Sequence, residues 1–106
     1  MRVLFDQGTP APLRHVLVGH AVSTAFELGW ATLKNGELLA AAENNSFDVF
    51  ITTDTNLKYQ QNLKSRRIAI VVLGTTSWPR LKIVPEMIVS VVNATTAGSY
   101  VEVAIP

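Results

Sequence analysis

Short apolar runs and polar interruptions alternate along the whole chain, and their spacing predicts the elements. Val3-Leu4-Phe5 is closed by Asp6-Gln7-Gly8, the pattern of a buried strand ending in a turn. Thr9 then reads as a cap and Pro10 as the opening of a short helix. His20 to Ala25 has the character of a second strand, followed by an irregular stretch from Phe26 to Leu33 around Gly29-Trp30. Leu38, Leu39 and Ala42 share one face of an alanine-rich helix capped by Asn35 and stopping near Asn44-Asn45-Ser46. Asp48 to Thr53 is β-branched and aromatic over a strand length, and Asp54 leads into a polar helix from about Thr55 to Lys64.

Ile68-Ala69-Ile70-Val71-Val72-Leu73 is apolar throughout, as a strand covered on both faces must be, and it ends at Gly74. Val84, Met87, Ile88, Val91 and Val92 recur at one-face helical spacing, with Pro85 in the first turn of a helix running to Ala94. Tyr100 to Ile105 alternates like a half-exposed edge strand. Strand and helix alternate with short connections and no repeat or linker. The chain is therefore expected to be one α/β domain over residues 1–106, a three-layer sandwich with a mostly parallel central sheet.

Composition narrows the chemistry. A chain of 106 residues can bury enough surface to fold without a disulfide or structural metal. Cysteine is absent, which removes zinc-thiolate sites, iron-sulfur clusters and cysteine nucleophiles. No run approaches a membrane span, and the opening residues are interrupted too early for a signal peptide, so a soluble cytoplasmic protein is expected. Nine Lys plus Arg against eight Asp plus Glu leave a net charge of +1, too little to drive non-specific nucleic-acid binding. The basic residues are nevertheless concentrated, with Lys58, Lys64, Arg66 and Arg67 within ten positions.

In parallel sheets ligands bind beyond the carboxyl ends of the strands, and this rule sorts the acids. Asp6 directly follows the first strand and Asp54 the third, so both belong to the same edge. Glu37 lies in the first turn of the helix leading into the third strand. If strands one and three are neighbours, these three carboxylates converge. Such a cluster repels itself unless a cation neutralises it, and hard oxygen ligands favour Mg²⁺ or Mn²⁺. A divalent ion there would lower the pKa of a bound water and steady charge on a phosphodiester. Each acid also has a plainer role: Asp6 in a turn, Asp54 as a helix cap, Glu37 facing a helix dipole.

These residues resemble a family. Val3-Leu4-Phe5-Asp6, Gly19 to Ala25, Glu27-Leu28-Gly29-Trp30, Asn35-Gly36-Glu37-Leu38-Leu39 with Ala42, and Phe50 to Leu57 resemble in order and spacing the small bacterial PIN-like domains, predicted nucleases related to VapC-type toxins. The resemblance covers Met1 to about Trp78. It implies a parallel-sheet sandwich whose acids Asp6, Glu37 and Asp54 bind Mg²⁺ or Mn²⁺ and cleave single-stranded RNA, with a cognate antitoxin or a second copy of the chain as partner. Asn35 and Asn56 stand where many members carry acids. Asparagine coordinates through its carbonyl oxygen but adds no charge, so the metal would be held more weakly.

On the helix after Asp54, the spacing places Tyr59 and Leu63 against the sheet and Asn56 and Gln60 near the metal edge. Lys58, Lys64, Arg66 and Arg67 would then rim the cleft and hold phosphates, with Asn35, Asn56 and Gln60 as further substrate contacts. His15 and His20 read as structural or surface residues, and Trp30 and Trp78 as core or cleft wall in preference to base-stacking platforms. Aligning Gln7-Gly8-Thr9 with the phosphatase pattern Asp-x-Asp-Gly-Thr puts Phe5 at the nucleophile, so that chemistry is missing. The competing class is a catalytically silent PIN-like binding module, acting through a homodimer or an antitoxin complex over the last strand and the C-terminal helix.

Overall fold

The computed structural model describes residues 1–60 and 63–106, and for Gln60 the backbone alone. Five strands form one sheet: β1 (Arg2–Phe5), β2 (Ala21–Thr24), β3 (Val49–Thr52), β4 (Ala69–Leu73) and β5 (Tyr100–Val103), in the order β2-β1-β3-β4-β5. Every pairing is parallel, and β1 lies directly beside β3 with Phe5 opposite Ile51. Parallel neighbours need crossovers, and helices supply most of them. These are a 3₁₀ helix at Ala11–His15, α1 (Asn35–Asn44), α2 (Leu57–Gln60), α3 (Trp78–Leu81) and α4 (Pro85–Asn93).

Because side chains alternate across a strand, the sheet sorts its own residues into two cores. Val3, Phe5, Val49, Ile51, Val71 and Leu73 face the layer built by the 3₁₀ helix, α3 and α4. Leu4, Phe50, Ile70 and Val72 face α1 and α2, through Leu38, Leu39, Ala42 and Leu57. The chain is thus an α/β three-layer sandwich. Phe5 and Phe50 are completely buried on opposite faces, and side chains of this kind contribute roughly 1.5 to 3 kcal/mol each. Among the described residues no helix is long and apolar enough to cross a membrane.

Local departures from the sequence expectation have local causes. The short helix after β1 is capped at Pro10, and Thr9 is buried with its hydroxyl turned elsewhere. The first helical residue of α1 is Asn35, with Lys34 at the cap. The helix ends where Ser46 enters the left-handed region at φ 62°, letting the Phe47 N–H reach the Ala42 carbonyl at 3.0 Å. In α2 the residue against the sheet is Leu57, fully buried, whereas Tyr59 is 77% exposed. The α3 turn was not expected. Its Ser77 cap accepts from the Arg80 N–H, and Leu81 is its buried anchor.

Candidate functional site

Two acidic residues lie at the carboxyl edge because β1 and β3 are parallel neighbours that both end there. Asp6 is the first residue past β1, and its N–H is tied to the Ile51 carbonyl at 3.2 Å. Its Oδ1 accepts from the Thr9 N–H at 3.0 Å and lies 2.7 Å from the Thr9 hydroxyl, which is also 3.0 Å from the Ile51 carbonyl. Its Oδ2 accepts from the Thr52 hydroxyl at 2.5 Å. The same Thr52 oxygen accepts from the Asp54 N–H at 3.0 Å. A buried threonine therefore joins the two acids, donating to one and accepting from the backbone of the other.

Asp54 is fixed from its far side. Its Oδ1 accepts from the Asn56 N–H at 3.0 Å, and its Oδ2 accepts from the Asn35 side-chain amide at 2.8 Å. Asn35 belongs to this site through that bond. Asn56 contributes its main chain. The continuous chain of bonds links β1, β3 and the starts of α1 and α2, so the edge is rigid before anything binds.

Glu37 stands apart. Its Oε1 accepts from the Lys34 N–H at 3.1 Å, capping the first turn of α1. Among the described residues no three His, Cys, Asp or Glu side chains gather closely enough to hold a metal. The expected gathering of three carboxylates is therefore not seen among the described residues: Glu37 accepts from the N-terminus of its own helix, while Asp6 and Asp54 are linked through Thr52. The remaining set still suits Mg²⁺ in one mode. That ion is commonly held by one or two carboxylates together with waters and substrate phosphates, without a prebuilt protein cage.

The basic segment is distributed differently from the expected rim. Lys58 pairs with Glu102 of β5 at 2.6 Å, and this bond raises its pKa. Arg66 reaches Glu43 of α1 at 2.8 Å and the Gly36 carbonyl at 3.4 Å, while the Arg67 N–H bonds the second Glu43 oxygen at 2.6 Å. Burial pushes the Glu43 carboxyl up, but Arg66 and the N–H groups of Arg67 and Ile68 outweigh it, and the net shift is downward. Arg67 lines a hollow of about 330 Å³ with Asp48 and Thr95. Both arginines immediately precede β4, so the parallel topology carries the chain to the amino edge there. Arg66 thus spans α1 from Glu43 back to Gly36, one residue from Asn35, and Arg67 lies toward the amino edge. The Gln60 side chain lies outside the described residues.

Two hollows flank Asp6-Gln7-Gly8. The larger, about 730 Å³, is walled by Thr9, Thr24, Phe26, Thr76 and Trp78. The smaller, about 130 Å³, is walled by Trp30, Leu33, Asn35 and Leu38. Trp30 packs edge-on against Phe47, with ring centres 6.2 Å apart, and so serves as structure as well as wall. Thr52 and Phe26 are the site-edge residues that sequence reasoning did not single out, and Thr9, read there as a helix cap, holds Asp6 instead. The signal for Thr52 was available, a polar side chain in a strand whose other positions are apolar. Comparison of the chain with protein-family profiles, with curated proteins and with solved structures finds no match.

Proposed function

We propose that the carboxyl edge of the sheet hydrolyses phosphodiester bonds of single-stranded RNA with Mg²⁺ or Mn²⁺, as the resemblance to PIN-like nucleases implies. The observation that carries this reading is the pair Asp6 and Asp54 on neighbouring parallel strands, joined through Thr52. When bound, the cation supplies a water of lowered pKa and charge to oppose that of the phosphate. Asp6 and Asp54 would hold it through the second lone pairs of oxygens that already accept protein hydrogen bonds. Asn35 orients Asp54 through its side-chain amide. With two carboxylates and two neutral asparagines, affinity for the free ion is low, and substrate phosphate completes the site.

The test is cleavage of single-stranded RNA by the purified protein in Mn²⁺ or Mg²⁺. Asp6→Asn and Asp54→Asn should each abolish it, EDTA should stop it, and Glu37→Gln should retain it because glutamine caps the helix equally well. Cleavage that survives either aspartate substitution, or an inactive wild type, refutes the proposal.

A second reading is favoured by the same bonds seen differently. Asp6 and Asp54 already have protein donors on both oxygens, so the edge is satisfied without a cation. On that reading the chain is a catalytically silent binding module, taking an antitoxin-like protein or a second copy of itself. Thermal melts separate the two, because an ion that binds only the native state raises Tm. No rise with Mn²⁺, together with no cleavage, selects the silent module.

A further inference from the structure

We infer that Phe26 and Trp78 form a stacking site for one unpaired base of single-stranded nucleic acid, set beside the carboxylate of Asp6. This rests on the nuclease reading for its setting, and its test does not depend on catalysis.

Phe26 is 76% exposed, yet it is not on a loose loop. The turn that carries it is clamped at both ends. The Thr24 N–H donates to Glu27 at 2.9 Å, and the Glu27 N–H donates to the Thr24 hydroxyl at 3.1 Å, a reciprocal cap. The Gly29 N–H bonds the Phe26 carbonyl and the Trp30 N–H bonds the Ala25 carbonyl, at 3.1 and 2.8 Å. Arg14 of the 3₁₀ helix forks onto both oxygens of Glu27. Ala25 is buried inward by this turn, and Phe26 is held outward in water. Holding a large aromatic ring exposed by so many bonds has a cost in hydration that a bound flat ring would remove.

The ring borders the 730 Å³ hollow together with Trp78. Trp78 is anchored, since it begins α3 and packs on the core layer. The rest of the wall is mixed, with Asp6, Thr24 and Thr76 beside Pro10 and Ala11. Two aromatics on a wall of mixed polarity suit a flat base with polar edges better than an aliphatic side chain. Every base has a π face, so stacking tolerates sequence, and the exposed Thr76 is at hand for a base edge or the ribose. The volume lies within the usual range for small-molecule sites. Asp6 lines the same hollow, so a base lodged there brings its own phosphodiester link to the edge where the two aspartates stand.

The experiment is binding of fluorescently labelled oligo-U, oligo-dT and a duplex of equal length, followed by anisotropy in EDTA so that nothing is cleaved. It is run on the wild type and on the Asp54→Asn protein, which carries one negative charge fewer at the edge. Single strands should bind and the duplex should not. Phe26→Ala should weaken binding about tenfold or more, and Phe26→Tyr should keep it. Trp78→Ala should act likewise; because Trp78 also packs on the core, the exposed Phe26 is the deciding variant. Equal affinity for both single strands assigns base stacking alone, and preference for oligo-U adds contacts to the ribose hydroxyl. No binding of single strands, duplex binding as tight, or an unchanged affinity in Phe26→Ala overturns the inference. Phe26-dependent binding without any cleavage in Mn²⁺ leaves it standing while refuting the hydrolytic reading.

Discussion

Thr52→Val is the perturbation that most directly questions the architecture of the edge. Valine keeps the shape and β-branching of threonine at a fully buried strand position, so the change isolates the hydroxyl. Two bonds are lost together. One is the 2.5 Å donation to the Asp6 carboxylate, the other the 3.0 Å acceptance from the Asp54 N–H. A bond to a charged group is worth about 1.5 to 3 kcal/mol and a neutral one about 0.5 to 1.5 kcal/mol. The added methyl recovers part of this through burial, up to ~0.8 kcal/mol. The expected loss is about 2 to 4 kcal/mol, which for a chain of this size lowers Tm by about 10 to 20 °C. Urea and thermal unfolding of wild type, Thr52→Val and Thr52→Ser measure it, and serine, which restores the hydroxyl, should recover most of the loss. A double-mutant cycle with Asp6→Asn should return a coupling of at least about 0.5 kcal/mol. If Thr52→Val unfolds within about 0.5 kcal/mol of wild type, the bridge contributes nothing and the rigid-edge argument fails.

The other predictions concern neighbouring contacts. Gly8→Ala places a new Cβ 2.7 Å from the Thr53 hydroxyl, so it should destabilise the wild type, and Thr53→Ala should restore stability, as read by urea unfolding. The Glu27 carboxyl is held down to about 2 by the Arg14 guanidinium first and the Thr24 N–H next. Its folded value is depressed, so its stabilising contribution is present above the ordinary value of 4.5 and is lost as pH falls through about 2. An NMR titration should show that midpoint move up toward 4.5 in Arg14→Ala, and an unmoved midpoint would dismiss the clamp. Arg66→Ala leaves the largely buried Glu43 carboxylate with backbone donors alone, and should cost about 1 to 2 kcal/mol in chemical unfolding. Arg67→Ala, which keeps the N–H that Glu43 uses, should cost much less.

Much of the layer structure was written in nearest-neighbour chemistry. The alternation of Val3 and Phe5 against Leu4, the unbroken apolar run into Leu73, and Pro85 opening α4 are properties of consecutive residues, and all appear at their expected places. The sorting of Asp6 and Asp54 to one edge was legible for the same reason: each follows a strand, and the strands run parallel. What the sequence could not hold was decided between elements distant in the chain. The four-residue α3 is too short to show a helical period, and its reality rests on Leu81 reaching the core. Glu37 was grouped with the strand-end acids by its place in the chain, whereas it accepts from the backbone N–H three residues before it. Arg66 and Arg67 were grouped with the site by proximity in sequence to Asp54, whereas their partner Glu43, at the far end of α1, could be known only once the crossover into β4 was folded. Local pattern fixes which face of an element is apolar, because that depends on the period of the backbone. Which polar groups meet depends on how the elements cross, and only the folded sheet sets that distance.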